Sequence, residues 1–422
     1  MASSLSTTAR TPLRDELGRG NVVRQAVRNQ TETVVAILTG VQVRTDSGSD
    51  APRARSEVER YWADDHPVLE VIRARRRSGR PVGEHGDGHK LGLTIEGGGM
   101  RGAVSAAMLT ALDDLGLRSV FDVVYGVSSG AVNAAYFLTG ESWYPLTIYL
   151  DDLPTRRFVD FRRSLAGRAI LDLDYVFEHV LEKVKPLAYD KIAGMAPRFQ
   201  VAVAMVDTLE TVSVSTFENG ADLKAALRAS CWMPIAVPGV GEFRGRPAVD
   251  GGVLTAHPTI TATRDGCTHV LSLSTRPMGA PVNFSALVSR ATGALLDRTA
   301  RGLGTGYVAS LDEYRQHRSQ WQRWRTEPGD GPLYVLDLAP LPWMREMPRH
   351  ERDVTTILTA IREAHALAHA AIVGTPAAEI RDGQFTSVPR LIPVRRKTPF
   401  SPEATGWEGA GDSWAAGADA ES

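Results

Sequence analysis

The sequence predicts an α/β protein: a mostly parallel sheet with helices on both faces. Two patterns predict it. Short apolar runs alternate with segments of helical periodicity from about residue 91 to residue 373, and several runs break into glycine-rich turns just before a helix. Composition agrees with a globular chain. It has 422 residues, 43 % of them hydrophobic, and 48 Lys plus Arg against 49 Asp plus Glu, a balance that gives no overall pull toward nucleic acid. With only two cysteines, Cys231 and Cys267, a disulfide scaffold is excluded, and a reduced cytoplasmic setting is the simplest reading. No run of about 18 apolar residues is present, and the polar start of the chain lacks the apolar stretch of a secretory signal.

Residues 1–85 read as an N-terminal extension, partly helical or flexible, with helical candidates at Val22–Val43 and Arg55–Arg77. The second ends in a basic cluster, Arg73, Arg75, Arg76, Arg77 and Arg80, expected to solvate an arm. Gly83–Lys90 reads as a linker, and the main domain is expected over residues 86–375. Leu91–Glu96 is the first strand and Arg101–Leu117 the first helix of that domain. Val120–Tyr125 is the second strand, followed by a small-residue helix, Ala131–Thr139. Leu173, Val176, Phe177, Val180, Leu181 and Val184 share one face of an inserted helix, a candidate lid over a groove. Further strands are expected at Phe199–Val206, Thr211–Thr216, Val270–Ser274 and Leu333–Leu338, and helices at Leu303–Arg325 and Val354–Val373. Residues 376–422 turn rich in Pro, Gly, Ala and acid and read as a disordered tail.

Three glycine motifs carry the chemistry. Gly126-Val127-Ser128-Ser129-Gly130 lies between a strand and a helix, the arrangement of a nucleophile elbow. Its glycines allow a turn too sharp for a Cβ, and the turn places Ser128 at a helix N-terminus, where positive potential favours an alkoxide. Gly97-Gly98-Gly99-Met100-Arg101-Gly102 also follows a strand, and successive glycine amides can turn into a nest for the negative oxygen of an ester under attack. Arg101 is expected to brace that loop. Asp250-Gly251-Gly252 supplies a carboxylate on a turn that backbone can approach closely. His257 is expected to be a loop residue and no other histidine suits a triad, so the residues point to a Ser128–Asp250 dyad in which partial desolvation raises the basicity of the acid.

A competing pattern is present. Gly97, Gly99 and Gly102 also fit the dinucleotide fingerprint, with Asp122 at about the distance of its acidic partner but at the wrong end of its strand. Weaker signals read as structure. His365 and His369, four apart on a helix, lack a third metal ligand. Arg315, Arg318, Trp321, Arg323, Trp324 and Arg325 fit a solvated helix with its indoles inward better than a helix lying on lipid.

The ordered set Gly97–Gly102, Gly126–Gly130 and Asp250–Gly252 resembles the patatin-like phospholipases, with Leu223–Pro234 similar to the helix and turn that precede the aspartate strand in that family. The resemblance covers about Leu91 to Pro340. It implies a three-layer α/β/α fold, an oxyanion loop at Gly97–Gly102 using the amides of Gly98 to Met100, Ser128 as nucleophile and Asp250 as its base. It further implies a serine lipid acyl hydrolase of phospholipase A or lysophospholipase type, with phospholipid, lysophospholipid or another fatty-acyl ester as substrate. Contact with a membrane surface is expected to be peripheral, and neither metal nor organic cofactor is implied. A transacylase on the same dyad, or a non-catalytic dinucleotide-binding or regulatory module, are the alternatives. Ser129 stands where alanine is frequent in the family. Trp232 stands where a small residue is usual and is expected to narrow the acyl channel.

Overall fold

In the computed structural model, residues 60–195, 198–280 and 286–381 are described. The expected helix at Val22–Val43, the start of the one at Arg55–Arg77, and most of the expected tail lie outside the described residues. Helix α1, Pro67–Ser78, is followed by β1 (Leu91–Ile95), a one-turn 3-10 helix at Gly99–Arg101, α2 (Gly102–Asp114), β2 (Val123–Gly126) and α3 (Ser129–Thr139). After an insertion of short helical segments between Trp143 and Ala193 come β3 (Phe199–Met205), β4 (Glu210–Val214), α4 (Gly220–Ser230), β5 (Gly241–Phe243), β6 (Arg246–Asp250) and α5 (Pro258–Arg264). Strand β7 (His269–Leu273), helices α6 (Ala286–Thr299) and α7 (Leu303–Trp324), strand β8 (Tyr334–Leu338) and α8 (Val354–Val373) complete the order. A short helix at Ala377–Arg381 means that these residues of the expected tail are helical.

One mixed sheet runs β5-β6-β3-β2-β1-β7-β8, with β4 added against β3. Strands β3, β2, β1, β7 and β8 are mutually parallel, while β4 and β6 join β3 antiparallel. All five residues of β1 and of β7 are buried, as central strands covered on both faces must be. On one face, Tyr125, Val270 and Val335 of the sheet pack with Ile260 and Ala262 of α5 and Tyr314 and Trp321 of α7. Helix α2 packs on both α3 and α8 in a separate layer, with α3 folding back on β2 and β1. The architecture is therefore three layers, α/β/α, with a mostly parallel sheet.

Helix α1 is not the end of an arm. Val68, Leu69 and Ile72 are buried and the helix packs on β7 and β8. Arg75, 3 % exposed, spends all five guanidinium N–H groups. Two go to the Asp87 carboxylate at 2.7 and 2.9 Å, one to Asp122 at 2.8 Å, and one each to the carbonyls of Val120 and His89. Asp122 in turn accepts the Leu91 N–H at 2.7 Å. One buried cation thus ties α1, the segment expected to be a linker and the start of β1 together. Arg73 donates to the carbonyls of Ala371 and Ile372, where α8 ends and its dipole favours a cation. The expectation that this cluster solvates an arm fails for Arg73 and Arg75.

The inserted helix is a π-helix, Tyr175–Val184. Phe177, Val180 and Leu181 are buried, whereas Val184, expected on the same face, is exposed because i→i+5 winding rotates it away. Among the described residues no helix is long and apolar enough to cross a membrane.

Because Arg75 neutralises two carboxylates at once, Arg75→Gln is expected to lower unfolding free energy by about 3 kcal/mol in urea titrations. Arg76→Gln, on the exposed side, is expected to change it by less than about 0.5 kcal/mol. Equal effects would contradict the clamp.

Candidate active site

Strand β3 sets the geometry. Its Val201 pairs with Gly126, the last residue of β2, and its Val203 pairs with Asp250, the last residue of β6. One neighbour arrives parallel and the other antiparallel, so their ends meet two positions apart on a shared template. Ser128 follows Gly126 by two residues, which brings it to Asp250.

Ser128 sits at φ 54° and ψ −137°, ahead of α3. A positive φ is costly for a residue with a Cβ, about 1–2 kcal/mol, and persists only where the surroundings enforce it. Here they do. The Ser128 N–H donates to Ser230 Oγ at 2.9 Å, and the Ser230 hydroxyl donates to the Ala202 carbonyl of β3 at 2.7 Å. The first glycine loop presses on the elbow. A Cβ on Gly97 would lie 2.6 Å from the Val127 carbonyl oxygen and 2.7 Å from Ser128 Cβ, and one on Gly130 would lie 2.5 Å from the Ile95 oxygen. Only glycine permits either approach.

The oxyanion loop differs from the expectation that Gly98, Gly99 and Met100 all offer free amides. The Gly98 N–H donates to Ser129 Oγ at 3.1 Å and the Met100 N–H to the Arg349 carbonyl at 3.0 Å. Gly99 alone of the three has an N–H without a partner among the described residues, and it adopts φ +60° beside that Arg349 carbonyl. The cause is twofold: the Ser129 hydroxyl takes one amide, and residue 349 folds over the loop from far along the chain and takes another.

Beneath the loop lies a buried ion pair. Glu96 accepts the N–H and hydroxyl of Thr275 at 2.6 and 2.8 Å, Arg101 Nε donates to Thr275 Oγ1 at 2.9 Å, and Arg101 reaches Glu96 at 3.6 Å. Burial pushes the Glu96 carboxyl up, but the charges of Arg101, His257 and Arg276 and the Thr275 amide outweigh it and hold it at about 2. Arg101 therefore acts on the loop from below.

Asp250 is 3 % exposed, and its Oδ1 accepts the Gly252 N–H at 2.8 Å. Burial pushes its carboxyl up to about 6, against the Ser128 hydroxyl, the Gly252 amide and the charge of Arg349, which favour ionisation. Gly97, Gly98, Gly99, Ser128, Asp250 and Gly252 line one cavity. Met100, Arg101, Gly102, Gly126, Gly130 and Gly251 stand outside that lining; a Cβ on Gly251 would strike the Ala202 carbonyl at 2.5 Å.

Other sequence candidates have structural employment. His257 caps α5, accepts the Thr259 N–H and meets Ser274 at 3.2 Å, fully buried. Asp122 is committed to Arg75 and Leu91, which leaves the dinucleotide pattern without its acid. His365 bonds Asp114 at 3.0 Å, and no cluster suited to a metal ion occurs among the described residues. Trp321 is buried, and Arg318 donates to the carbonyls of Pro277 and Ala280. Trp232 does not narrow a channel: its ring packs where a Gly241 Cβ would be, and it lines neither cavity that reaches Ser128. Those cavities are lined instead by residues no motif announced, among them Cys231, Arg276 and Arg349.

Relief of the strain at residue 128 is measurable. Ser128→Gly is expected to stabilise the fold by about 1 kcal/mol in urea titrations, whereas Ser128→Ala, which keeps its Cβ, is expected to gain nothing. A Ser128→Gly variant less stable than Ser128→Ala would show that the elbow is unstrained.

Comparison with known proteins places this geometry. Residues 93–263 match the family model of the patatin-like phospholipases. The uncharacterized protein YjjU of Escherichia coli (strain K12) is 27 % identical over 288 residues, 66 % of this chain and 74 % of that protein. A solved structure, human GIVD cytosolic phospholipase A2 in complex with methyl γ-linolenyl fluorophosphonate inhibitor and terbium chloride, aligns at 12 % identity with a TM-score of 0.34. It covers 85 % of this chain and 65 % of its own, just under two thirds of that protein's length. The segment similar to the patatin-like phospholipase model, residues 93–263, holds both Ser128 and Asp250.

Proposed function

We propose that the protein is a serine lipid acyl hydrolase working through Ser128 and Asp250. The carrying observation is the strained serine at the head of α3 in the same cavity as a buried carboxylate. The family match supports a lipid acyl hydrolase in general; the residue roles are the present reading.

In this reading Ser128 Oγ attacks the ester carbonyl and its proton passes to Asp250. The tetrahedral oxyanion is received by the Gly99 N–H, with the positive end of α3 behind it. Collapse returns the proton from Asp250 to the departing alcohol and leaves an acyl-enzyme. Water then attacks that ester, giving its proton to Asp250, and collapse releases the fatty acid while Asp250 returns the proton to Ser128 Oγ. A carboxylate is a weak base in water, but burial brings Asp250 to about 6, nearer to what a base working at neutral pH requires. Fixing Oγ in a strained turn contributes by removing the rotational search for the attacking geometry.

The sign of the pH dependence follows from the raised acid. Asp250 accepts a proton only when ionised, so activity is lost as pH falls through about 6. On p-nitrophenyl butyrate, kcat/KM is expected to fall about ten-fold per unit below pH 6 and to level above pH 7. Ser128→Ala and Asp250→Asn are each expected to lose at least about 1,000-fold. Wild-type turnover of this ester and of phospholipid vesicles no greater than that of Ser128→Ala would overturn the proposal.

A further inference from the structure

Ser128 stands where two chambers of different chemistry join. Gly99, Ser128, Leu171 and Cys231 line both. One chamber is walled by Val132, Phe158, Leu173, Val176, Phe177 and Leu181, so the π-helix forms a wall of an apolar slot. The other continues past Asp250 to Arg276 and Arg349.

Both arginines are half-buried in the wall of this chamber. Arg276 Nε is buried and has no hydrogen-bond acceptor. Neither guanidinium forms an ion pair among the described residues; both line the same cavity, and burial first and the charge of Arg276 second disfavour the cation at Arg349. The acids nearby are already engaged: Glu96 by Arg101 and Thr275, and Asp250 by Gly252 and Ser128. An unpaired buried donor and two adjacent like charges are both costly, and an oxyanion between them would relieve both.

We propose that Arg276 and Arg349 form a binding subsite for the phosphate of a lipid headgroup, with the acyl chain in the apolar slot and the scissile ester at Ser128 between them. The substrate class follows, if the hydrolase reading holds: acyl esters bearing a phosphate close to the ester, preferred over neutral esters of equal chain length. Arg101 has no part in this subsite, since it is held beneath the loop by Glu96 and Thr275. The Arg349 backbone carbonyl also accepts the Met100 amide, so filling the subsite bears on the loop that receives the oxyanion.

Two arms test it. In the first, full-length Ser128→Ala protein is titrated calorimetrically with decyl phosphate, decanol and inorganic phosphate at pH 7.5. Decyl phosphate is expected to bind at least ten-fold tighter than either of the others. Adding Arg276→Gln or Arg349→Gln is expected to remove at least ten-fold of that affinity, and lysine at either position to remove less. Inorganic phosphate binding as tightly as decyl phosphate would assign the arginines to free phosphate and overturn the headgroup proposal, as would decyl phosphate binding no better than decanol. In the second arm, the ratio of kcat/KM for lysophosphatidic acid over a monoacylglycerol of the same chain is expected to fall at least ten-fold in Arg276→Gln and to recover in part in Arg276→Lys. A ratio unchanged in both would overturn it. If wild type hydrolyses neither ester, the hydrolase reading fails while the calorimetry still judges the subsite.

Discussion

The pairing register of β3 is the constraint on which the site depends. Along one edge β3 pairs first with β2, parallel, and then with β6, antiparallel, while β4 takes its other edge. Gly126 is fixed at Val201 and Asp250 at Val203, so elements separated by more than a hundred residues end two positions apart on one strand. A slip of one residue in either ladder would turn the affected side chains to the other face of the sheet. The same strand receives the Ser230 hydroxyl at the Ala202 carbonyl, and through Ser230 it holds the Ser128 amide. Ala202 also leaves no room for a side chain on Gly251. Serine, acid and brace are therefore positioned by three consecutive residues of one buried strand.

What was legible in the sequence is what the backbone demands. Gly97, Gly126, Gly130 and Gly251 stand where a Cβ would overlap neighbouring atoms, so the motifs were readable as turns before any contact was known. The buried strands β1 and β7 and the helix Val354–Val373 were readable from apolar pattern and length. Parts set by partners distant in sequence were not. Nothing local marks Arg75 as a clamp where Arg76 is solvent-exposed, or Tyr175–Val184 as a π-helix. Nothing local says that Arg349 closes over the glycine loop, so the number of amides left for an oxyanion was overcounted. Strand β6 is short and carries Pro247, so its sequence reads as an apolar run more than as a strand.

Electrostatics divides the site into parts with separate tasks. Glu96 and Arg101, joined through Thr275, form a buried ion pair that fixes the loop. Asp250 lies in the same apolar surroundings with fewer donors, and burial wins over them, raising its pKa instead of lowering it. Two carboxylates that line one cavity thus behave in opposite ways, one kept as a structural anion and the other made a better base.

The central claim is that β3 holds Ser128 in a reactive geometry against a base that titrates near pH 6. Reaction of the intact protein with a fluorophosphonate, followed by mass spectrometry of the modified peptide, tests this without assuming any natural substrate. The account predicts a single adduct on Ser128, formed at a rate that rises through pH 6 in wild type and loses that dependence in Asp250→Asn. Adducts spread over other serines, or a Ser128 rate indifferent to both pH and Asp250, would contradict it.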